Sequence, residues 1–308
     1  MRKHLRQADA VYTFSGDSAW LGLIASIGLK KKVHILEVGD VRHLQTRAGA
    51  VGKVYRLIDR ILTSRVQLLV VTAEGFLDQY YRKWLGTKTP GIVIENKVER
   101  TFFDSIAQPS TISPKNERPI TIGYFGLMQS PWSWRVLKKI AKDNPDTFAV
   151  VLAGYPIRFD DIEEVCEQYK NISYTGTYQS PEDLEKLYTS VDLAWGCYSP
   201  FGNNDWNLMW ARPNRFYEAC AFHTPLISRK ESTDGKYVSK LDIGYAVSET
   251  DDDTAAQNIS RITRSDIEAW RKNMQALDKS MYCYTNESSL LVEKINEFVA
   301  GGPTTRDP

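Results

Sequence analysis

The residues best suited to chemistry lie in one stretch late in the chain, NLMWARPNRFYEACAFHTPLI at 207–227. Pro213 can occupy the first position of a helix, where an N–H would have no intrahelical partner. Arg215 and Glu218 are three residues apart, so they would share one helix face. The N–H groups of a helix N-terminus beside an arginine suit a phosphate, and a carboxylate one turn deeper can accept hydrogen bonds from a vicinal diol. The stretch therefore predicts a nucleoside diphosphate site.

A second interpretation of this stretch is structural. A glutamate and an arginine three apart on a helix can form an ion pair on a solvated surface, with little effect on stability. However, the helix is followed at once by the strand-like run Pro225–Ile227. In a β-α-β unit the helix N-terminus points to the ligand-binding edge of the sheet. This context favours the binding interpretation of Arg215 and Glu218.

The elements that would position this helix follow a repeating pattern. Short, wholly apolar runs bounded by Gly, Pro, Asn or Asp are typical of strands buried on both faces of a parallel sheet. Helical spacing lies between them, as where the cap sequence SPED at 180–183 precedes Leu184, Leu187 and Tyr188 on one face. The alternation predicts an α/β fold of Rossmann-like, doubly wound halves. The expected strands are Ala10–Phe14, Val33–Leu36, Gln67–Val71, Ile92–Ile94, Ile120–Phe125, Phe148–Ala153, Ile172–Tyr174, Leu193–Trp195, Pro225–Ile227 and Gly244–Val247.

A polar segment with three prolines between Asn96 and Pro119 predicts a domain boundary. We expect residues 1–108 to form a partial N-terminal domain. Residues 109–308 would form a complete C-terminal domain that ends in helices. Two such halves create a cleft, and open α/β sheets bind ligands at the carboxyl ends of their strands.

Composition and charge exclude several classes of protein. The 308 residues are 42% apolar and 25% charged, which is globular rather than disordered. A net charge of +1 gives no signature of a nucleic-acid binder, so no nucleic-acid partner is expected. Four scattered cysteines predict neither a disulfide framework nor structural zinc. Without a signal-peptide pattern or an apolar run near about 18 residues, we expect a cytoplasmic protein, with peripheral contact at the inner membrane face as an option.

The order and spacing of several motifs resemble the retaining glycosyltransferases of the GT-B fold, especially family 4 members that build bacterial surface polysaccharides. The motifs span nearly the whole chain: VVTAEGFLDQYY, IVIENKVE, ITIGYFGLM, VVLAGYP, ISYTGTYQSPEDLEKLYTSVDLAW and ARPNRFYEACAFHTPLI. In that family a late helix opens with Pro-Asn-Lys/Arg and carries an acid that holds the donor ribose. The matching residues here are Arg212, Pro213, Asn214, Arg215 and Glu218.

The resemblance implies transfer of a hexosyl unit from a nucleoside diphosphate sugar to a glycan or lipid-linked glycan in polysaccharide biosynthesis. It also implies further donor-binding residues. Gly126 matches the glycine that lets the donor phosphates approach the backbone, and Asn96 matches the Asn that ends the last strand of the first half. Asn207 matches an Asn that often precedes the late helix, and Tyr178 lies near where the family holds the base.

In this family an acceptor hydroxyl attacks the anomeric carbon while charge builds on the departing diphosphate, which the protein must stabilise. The resemblance implies that Arg215, the helix N-terminus and Arg212 supply positive potential there. We therefore expect no metal and no other cofactor. The run Asp251–Asp253 fits the D-x-D metal pattern of another glycosyltransferase fold, but it lies past the last expected strand. We interpret it as a solvated acidic loop.

For each of three features, two interpretations remain open. Asp40 ends an expected strand where the family often places a polar residue near the transferred sugar, which makes it a catalytic candidate, but it equally fits a helix N-cap. Trp132 and Trp134 fit stacking on a sugar or base and also packing around the helix at 135–141. The basic and apolar segment 47–65 fits a helix lying on anionic lipid. An ordinary helix with a core-facing apolar side and a basic outer side is favoured for it.

Two departures from the family pattern bear on function. Many members carry two acids as E-x7-E, but the position eight before Glu218 is Trp210, which leaves the choice between UDP and GDP donors open. No glycine precedes Gly16 and four strands are expected before the boundary, so the front of the acceptor domain is expected to be missing. An alternative function is therefore a non-catalytic module that binds a nucleotide sugar or a partner. A GT-B epimerase is a weaker third interpretation.

Overall fold

The computed structural model describes residues 2–105, 118–199 and 206–301. The chain divides into two compact units. The first unit comprises residues 1–96, 201–212 and 285–308, and the second comprises 97–200 and 213–284. The expected boundary at 108/109 lies outside the described residues, within the gap at 106–117.

The described residues form ten strands and fourteen α-helices. The strands are β1 Ala10–Phe14, β2 Val33–Val38, β3 Leu68–Val71, β4 Gly91–Val93, β5 Ile120–Leu127, β6 Phe148–Tyr155, β7 Ile172–Tyr174, β8 Leu193–Trp195, β9 Leu226–Arg229 and β10 Gly244–Val247. The helices are α1 Arg2–Leu5, α2 Gly16–Ala25, α3 His43–Thr46, α4 Gly49–Thr63, α5 Arg100–Ser105, α6 Pro131–Asp143, α7 Ile162–Gln168, α8 Leu184–Thr189, α9 Trp206–Trp210, α10 Asn214–Ala221, α11 Thr233–Leu241, α12 Asp252–Ile259, α13 Arg264–Gln275 and α14 Glu287–Val299. A π-helix spans Phe76–Trp84 and a 3₁₀ turn spans Lys279–Met281.

The first unit is a four-stranded parallel sheet in the order β1-β2-β3-β4, covered on both faces. Alternate residues of β3 point to opposite faces. Leu69 packs in a cluster with Tyr80 of the π-helix, while Leu68 packs in another cluster with Ile295 of α14. Burial on both faces explains why β3 is apolar throughout.

The second unit is a six-stranded parallel sheet in the order β10-β9-β8-β5-β6-β7. Counted from β5 within this unit, the order is 3-2-1-4-5-6, which is that of a doubly wound dinucleotide-binding domain. The chain direction across the sheet therefore reverses between β5 and β8. These two strands lie side by side, with Ile122 opposite Leu193.

A buried carboxylate ties β5 and β8 together at the end of the sheet where both strands begin. Asp192 is 1% exposed, and its Oδ2 accepts a hydrogen bond from the Thr121 backbone N–H at 2.9 Å. Its Oδ1 lies 2.8 Å from Arg118, 3.3 Å from Arg264 and 3.4 Å from Arg271. Several charge-assisted hydrogen bonds can offset the desolvation of one buried carboxylate. This cluster fixes the two strands whose opposite ends build the site described below.

The predicted α/β architecture is confirmed, because every expected strand overlaps an observed one. The helix expected to begin in the cap sequence at 180–183 begins later, at Leu184. The reason is local, since the Asp183 side chain accepts a hydrogen bond from the Gln179 backbone N–H at 2.8 Å and closes a turn instead.

Helix α4 presents its apolar side outward. Val54 and Leu57 are each 54% exposed and Ile61 is 42% exposed, whereas Gly52 and Thr63 are buried on the opposite side. The favoured expectation of a core-facing apolar side for this segment is therefore wrong, because residues of the other helix face supply the packing. No described helix is both long enough and apolar enough to cross a bilayer.

Candidate functional site

The candidate site of the second unit lies at the carboxyl ends of β5 and β8, where the strand order reverses. Open α/β sheets bind ligands at such a reversal because the loops of neighbouring strands diverge there. Gly126 lies near the end of β5 with φ +95°, a conformation that favours glycine. A Cβ atom at this position would lie 3.6 Å from the Tyr178 hydroxyl. Gly126 and Tyr178, two of the residues predicted to bind the donor, are therefore neighbours.

Helix α10 begins at Asn214, with Pro213 as its N-cap in an extended conformation (φ −73°, ψ 157°). Pro213 thus lies one position before the place expected for it. No described side chain caps this helix. The Phe216 N–H donates to the Pro213 carbonyl oxygen at 3.0 Å, whereas the N–H groups of Asn214 and Arg215 point out of the helix end and suit an anion.

Arg215 is held by aromatic rings and by the end of β8. Its guanidinium carbon lies 5.0 Å from the ring centre of Tyr124 and 5.6 Å from that of Tyr198, both within cation–π range. Its Nη1 donates to the Trp195 carbonyl oxygen at 3.3 Å. These contacts place the positive charge at the carboxyl end of β8. Neither Tyr124 nor Tyr198 was singled out from the sequence, because a tyrosine inside an apolar run carries no spacing signal.

Glu218 is a buried carboxylate that is 8% exposed. Its Oε2 accepts a hydrogen bond from the Tyr188 hydroxyl at 2.7 Å. Its Oε1 accepts none from any residue that the structure describes, and no ion pair joins it to Arg215. Burial raises the pKa of Glu218, although the Tyr188 hydroxyl and the charge of Arg215 oppose that rise. The alternative of a solvated Glu–Arg pair is therefore wrong, and Glu218 retains acceptor capacity for hydroxyl groups.

Tyr188 positions Glu218 and was missed as a site residue. Its ring stacks on Phe222 at 5.6 Å and meets Phe125 edge-on at 5.1 Å. Burial, followed by the nearby Glu218, raises the pKa of Tyr188 well above its ordinary value, so the hydroxyl remains a donor. The helix face that Tyr188 shares with Leu184 and Leu187 was visible in the sequence, but it predicted only packing.

Tyr178 lies in the same electrostatic environment. Burial, followed by the charge of Glu218, raises the pKa of Tyr178 to about 12, while Arg215 opposes the shift. The structure therefore brings together Gly126, Tyr178, Arg215 and Glu218. An uncapped helix N-terminus, an arginine and a buried carboxylate with an open oxygen can hold phosphates and a diol.

Asp40 and Asn207 meet within the first unit. Asn207 Nδ2 donates to Asp40 Oδ1 at 2.8 Å, and Asn207 Oδ1 accepts from the Val41 backbone N–H at 2.8 Å. Helix α3 is capped by Arg42. The N-cap interpretation of Asp40 is therefore wrong, and its carboxylate is oriented by an amide instead.

Arg212 and Asn96 also belong to the first unit. Arg212 Nη1 lies 2.8 Å from Glu95 Oε1, and both side chains are largely buried. Their neighbour α9 packs on the π-helix, where Trp84 meets Trp206 at 5.3 Å and Trp210 at 5.2 Å. The motif read as one stretch from Asn207 to Glu218 is thus divided between the two units after Arg212.

The acidic run at 251–253 begins helix α12. Asp251 caps it by accepting from the Thr254 backbone N–H at 2.8 Å, and Asp252 pairs with Arg135 at 3.0 Å. The expected loop is in part a helix start. Across residues 2–105, 118–199 and 206–301, no group of three His, Cys, Asp or Glu side chains is placed to hold a metal ion.

The two tryptophans after Gly126 are packing residues. Trp132 and Trp134 are 5% and 4% exposed within the sheet-covering core. Trp134 stacks on Phe159 at 4.8 Å, and Trp132 Nε1 donates to the Thr250 carbonyl oxygen at 3.0 Å. The packing interpretation is the correct one.

No family model matches the chain. Among curated proteins, it is similar to the succinoglycan biosynthesis protein ExoL of Rhizobium meliloti strain 1021, with 28% identity over 234 residues. The match covers 74% of this chain and 57% of ExoL, so the chain spans little more than half the length of that relative.

Solved structures show the fold. Sucrose-phosphate synthase of Thermosynechococcus elongatus matches with a TM-score of 0.66 and 16% identity, over 96% of this chain and 74% of the synthase. HepE of Anabaena in complex with UDP matches with a TM-score of 0.67 and 14% identity, over 97% of this chain and 79% of HepE. HepE has also been solved with UDP-glucose. The chain has the GT-B glycosyltransferase fold of two Rossmann-like units.

Replacing Glu218 by Gln should change how stability depends on pH. A carboxyl group whose pKa is higher in the folded chain than about 4.3 binds more protons when folded, so its contribution to stability falls as pH rises above that value. The unfolding free energy of the wild type relative to Glu218→Gln should therefore decrease between pH 4 and 7, measured by urea denaturation. Glu167→Gln, an exposed control on α7, should run parallel to the wild type. If the unfolding free energy of Glu218→Gln instead changed with pH as that of the wild type does, the burial of the Glu218 carboxyl group would be contradicted.

Proposed function

We propose that this chain is a retaining, family 4-like glycosyltransferase that moves a hexosyl unit from a nucleoside diphosphate sugar to a glycan or lipid-linked glycan in polysaccharide biosynthesis. The observation that carries the proposal is Glu218, a buried carboxylate with an open oxygen beside Arg215 and the uncapped N-terminus of α10. The GT-B fold and the similarity to a succinoglycan biosynthesis protein support it.

The donor fits this site group by group. The diphosphate meets the N–H groups of Asn214 and Arg215 and the Arg215 guanidinium, because these supply partial and full positive charge. Gly126 lets a phosphate approach the backbone, and Glu218 accepts hydrogen bonds from the ribose hydroxyls. Tyr178 lies against the base. Since HepE was solved with UDP, uridine nucleotides are the first donors to test.

The reaction needs charge stabilisation more than a base. The acceptor oxygen forms a bond to the anomeric carbon, and the bond from that carbon to the diphosphate oxygen breaks. The diphosphate leaves with the electron pair and takes up the acceptor proton. Arg215 and the N-terminus of α10 stabilise the negative charge that develops on the leaving group. The proposal therefore needs no metal.

Asp40 is the proposed catalytic carboxylate of the first unit. Asn207 fixes its Oδ1, so the remaining oxygen can accept from a hydroxyl of the transferred sugar. Orientation of this kind lowers the barrier by holding reacting groups in place. Arg212, held by Glu95, is assigned to the support of this segment.

The proposed location is the cytoplasm, at the inner face of the membrane. The four cysteines are free thiols, as is common in a reducing compartment. Helix α4 packs against α2, which also exposes apolar side chains: Leu21 is 60% and Ile24 is 59% exposed. Exposed Lys53 and Arg65 flank the apolar side of α4. Apolar area flanked by cations complements an anionic lipid surface.

Calorimetric titration with UDP, GDP and ADP tests the donor site. We expect one nucleotide to bind selectively and Glu218→Ala to weaken it about 10- to 100-fold, because hydrogen bonds to a charged group contribute roughly 1.5–3 kcal/mol. Glu167→Ala, an exposed glutamate on α7, is the matched control and should bind as the wild type does.

A turnover assay on the same protein then distinguishes an active glycosyltransferase from a non-catalytic binding module. Turnover of the matching nucleotide sugar, with the product's anomeric configuration retained by NMR, supports the proposal. Selective nucleotide binding without turnover on any glycan acceptor favours the non-catalytic alternative. Equal affinity of Glu218→Ala and the wild type would contradict the donor site itself.

Vesicle flotation tests the membrane surface. The chain should float with vesicles of phosphatidylcholine and phosphatidylglycerol but not with phosphatidylcholine alone. Val54→Glu with Leu57→Glu should weaken binding at least about tenfold, because burying each side chain contributes roughly 1.5–3 kcal/mol. Val292→Glu, on the exposed side of α14, is the control. Unchanged flotation of the double variant would rule out this surface.

A further inference from the structure

A cavity of about 240 Å³ opens in the first unit at the carboxyl ends of β1 and β2. This is the edge of a parallel sheet at which ligands bind. Pockets for drug-sized ligands are roughly 300–1,000 Å³. The cavity is therefore sized for a single ring rather than for a nucleotide.

The floor of the cavity is apolar and its walls are aromatic. Leu36, Val38 and Leu62 line it and are buried, and Trp20 and Tyr55 also line it. Aromatic side chains offer a large and rigid apolar surface. One face of a pyranose ring consists of C–H groups and matches such a surface, whereas its edge carries hydroxyls. The lining thus favours a ring that is apolar on one face and polar around its edge.

Asp59 supplies acceptor capacity inside the cavity. Gln45 Nε2 donates to Asp59 Oδ2 at 2.6 Å, and the Tyr80 hydroxyl donates to the same oxygen. The other oxygen, Oδ1, receives no hydrogen bond from any described residue. Burial raises the pKa of Asp59 even though both donors lower it, so the carboxylate has too few donors for its degree of burial. Hydroxyl groups of a ligand would supply the missing donors.

The charge of the lining restricts the ligand further. Among the described lining residues, three carboxylates face one cation: Asp17, Asp40 and Asp59 against Arg42. Arg42 is already paired with Asp17 at 2.7 Å. The side chains of Asp17 and Arg42 are 74% and 54% exposed, so water screens their charges, whereas Asp59 is partly buried. A phosphate or carboxylate beside Asp59 would meet its negative charge, which is repulsive. The cavity therefore disfavours anionic ligands.

We propose that this cavity binds one uncharged, hydroxyl-rich sugar ring of the acceptor glycan. Trp20 and Tyr55 lie against the ring, and Asp59 accepts hydrogen bonds from its hydroxyls. The inference rests on the proposed glycosyltransferase function and adds the class of acceptor to it. That class is a neutral glycan end, without phosphate or carboxylate on the bound ring, and Asp59 is a residue that determines this specificity.

Ligand titration by saturation-transfer NMR on the full chain, without nucleotide, tests the inference. Methyl glucoside and methyl galactoside are the neutral probes, and glucuronic acid and glucose 6-phosphate are the charged ones. The charged probes should bind at least about tenfold more weakly than the neutral ones. Asp59→Asn and Trp20→Ala should each weaken neutral binding about tenfold, the scale of one lost hydrogen bond or contact surface. Asp78→Asn, an exposed aspartate on the π-helix, is the control.

Charged sugars binding as tightly as neutral ones, or full neutral binding by folded Asp59→Asn and Trp20→Ala, would overturn the inference. If these variants do not fold, the Trp20 indole signal of the wild type must shift with methyl glucoside, and an unmoved signal overturns the inference. UDP titration keeps the two proposals separate. UDP binding without neutral-sugar binding would contradict only the proposed sugar site in the cavity. Neutral-sugar binding without UDP binding would contradict only the proposed donor site.

Discussion

The reversal of strand order between β5 and β8 is the constraint on which the candidate site depends. All six strands of the second unit run parallel, so their carboxyl ends meet at one edge. Loops diverge from that edge only at the reversal, where Gly126 lies next to the last residue of β5 and Trp195 ends β8. The Asp192 cluster holds the same strands together at their opposite ends. Arg215 and Glu218 can therefore lie at a fixed, open position without a long loop to support them.

Burial of Glu218 has an electrostatic cost that its surroundings offset in part. The Tyr188 hydroxyl and the charge of Arg215 favour the ionised carboxylate, while desolvation opposes it. A carboxylate in this state gains from additional donors, as Asp59 does in the first unit with its own open oxygen. Each unit thus has, at the carboxyl edge of its parallel sheet, a carboxylate with one oxygen that accepts no hydrogen bond from a described residue. Hydroxyl-rich ligands are the natural complement of such groups.

Most of the fold could be predicted because doubly buried parallel strands must be apolar throughout, as in β3 and β5. The helix that begins after Pro213 was also predictable, because proline has a fixed φ and no N–H and therefore suits the start of a helix. Side-chain partners were not predictable. Tyr188 looked like packing, and Asn207 and Arg212 looked like neighbours of Glu218, although they bond to Asp40 and Glu95 in the first unit. Contacts between residues distant in sequence leave no spacing pattern.

If Glu218 holds the ribose of the donor, this carboxylate and the ribose hydroxyls must be energetically coupled, and a double-mutant cycle measures that coupling. UDP and 2′-deoxy-UDP are titrated calorimetrically into the wild type and into Glu218→Ala. We expect loss of the 2′-hydroxyl to weaken binding about tenfold in the wild type and hardly at all in the variant, a coupling of roughly 1 kcal/mol or more. Equal losses in both proteins would mean that the hydroxyl and the carboxylate do not interact, and would contradict the proposed role of Glu218 at the ribose.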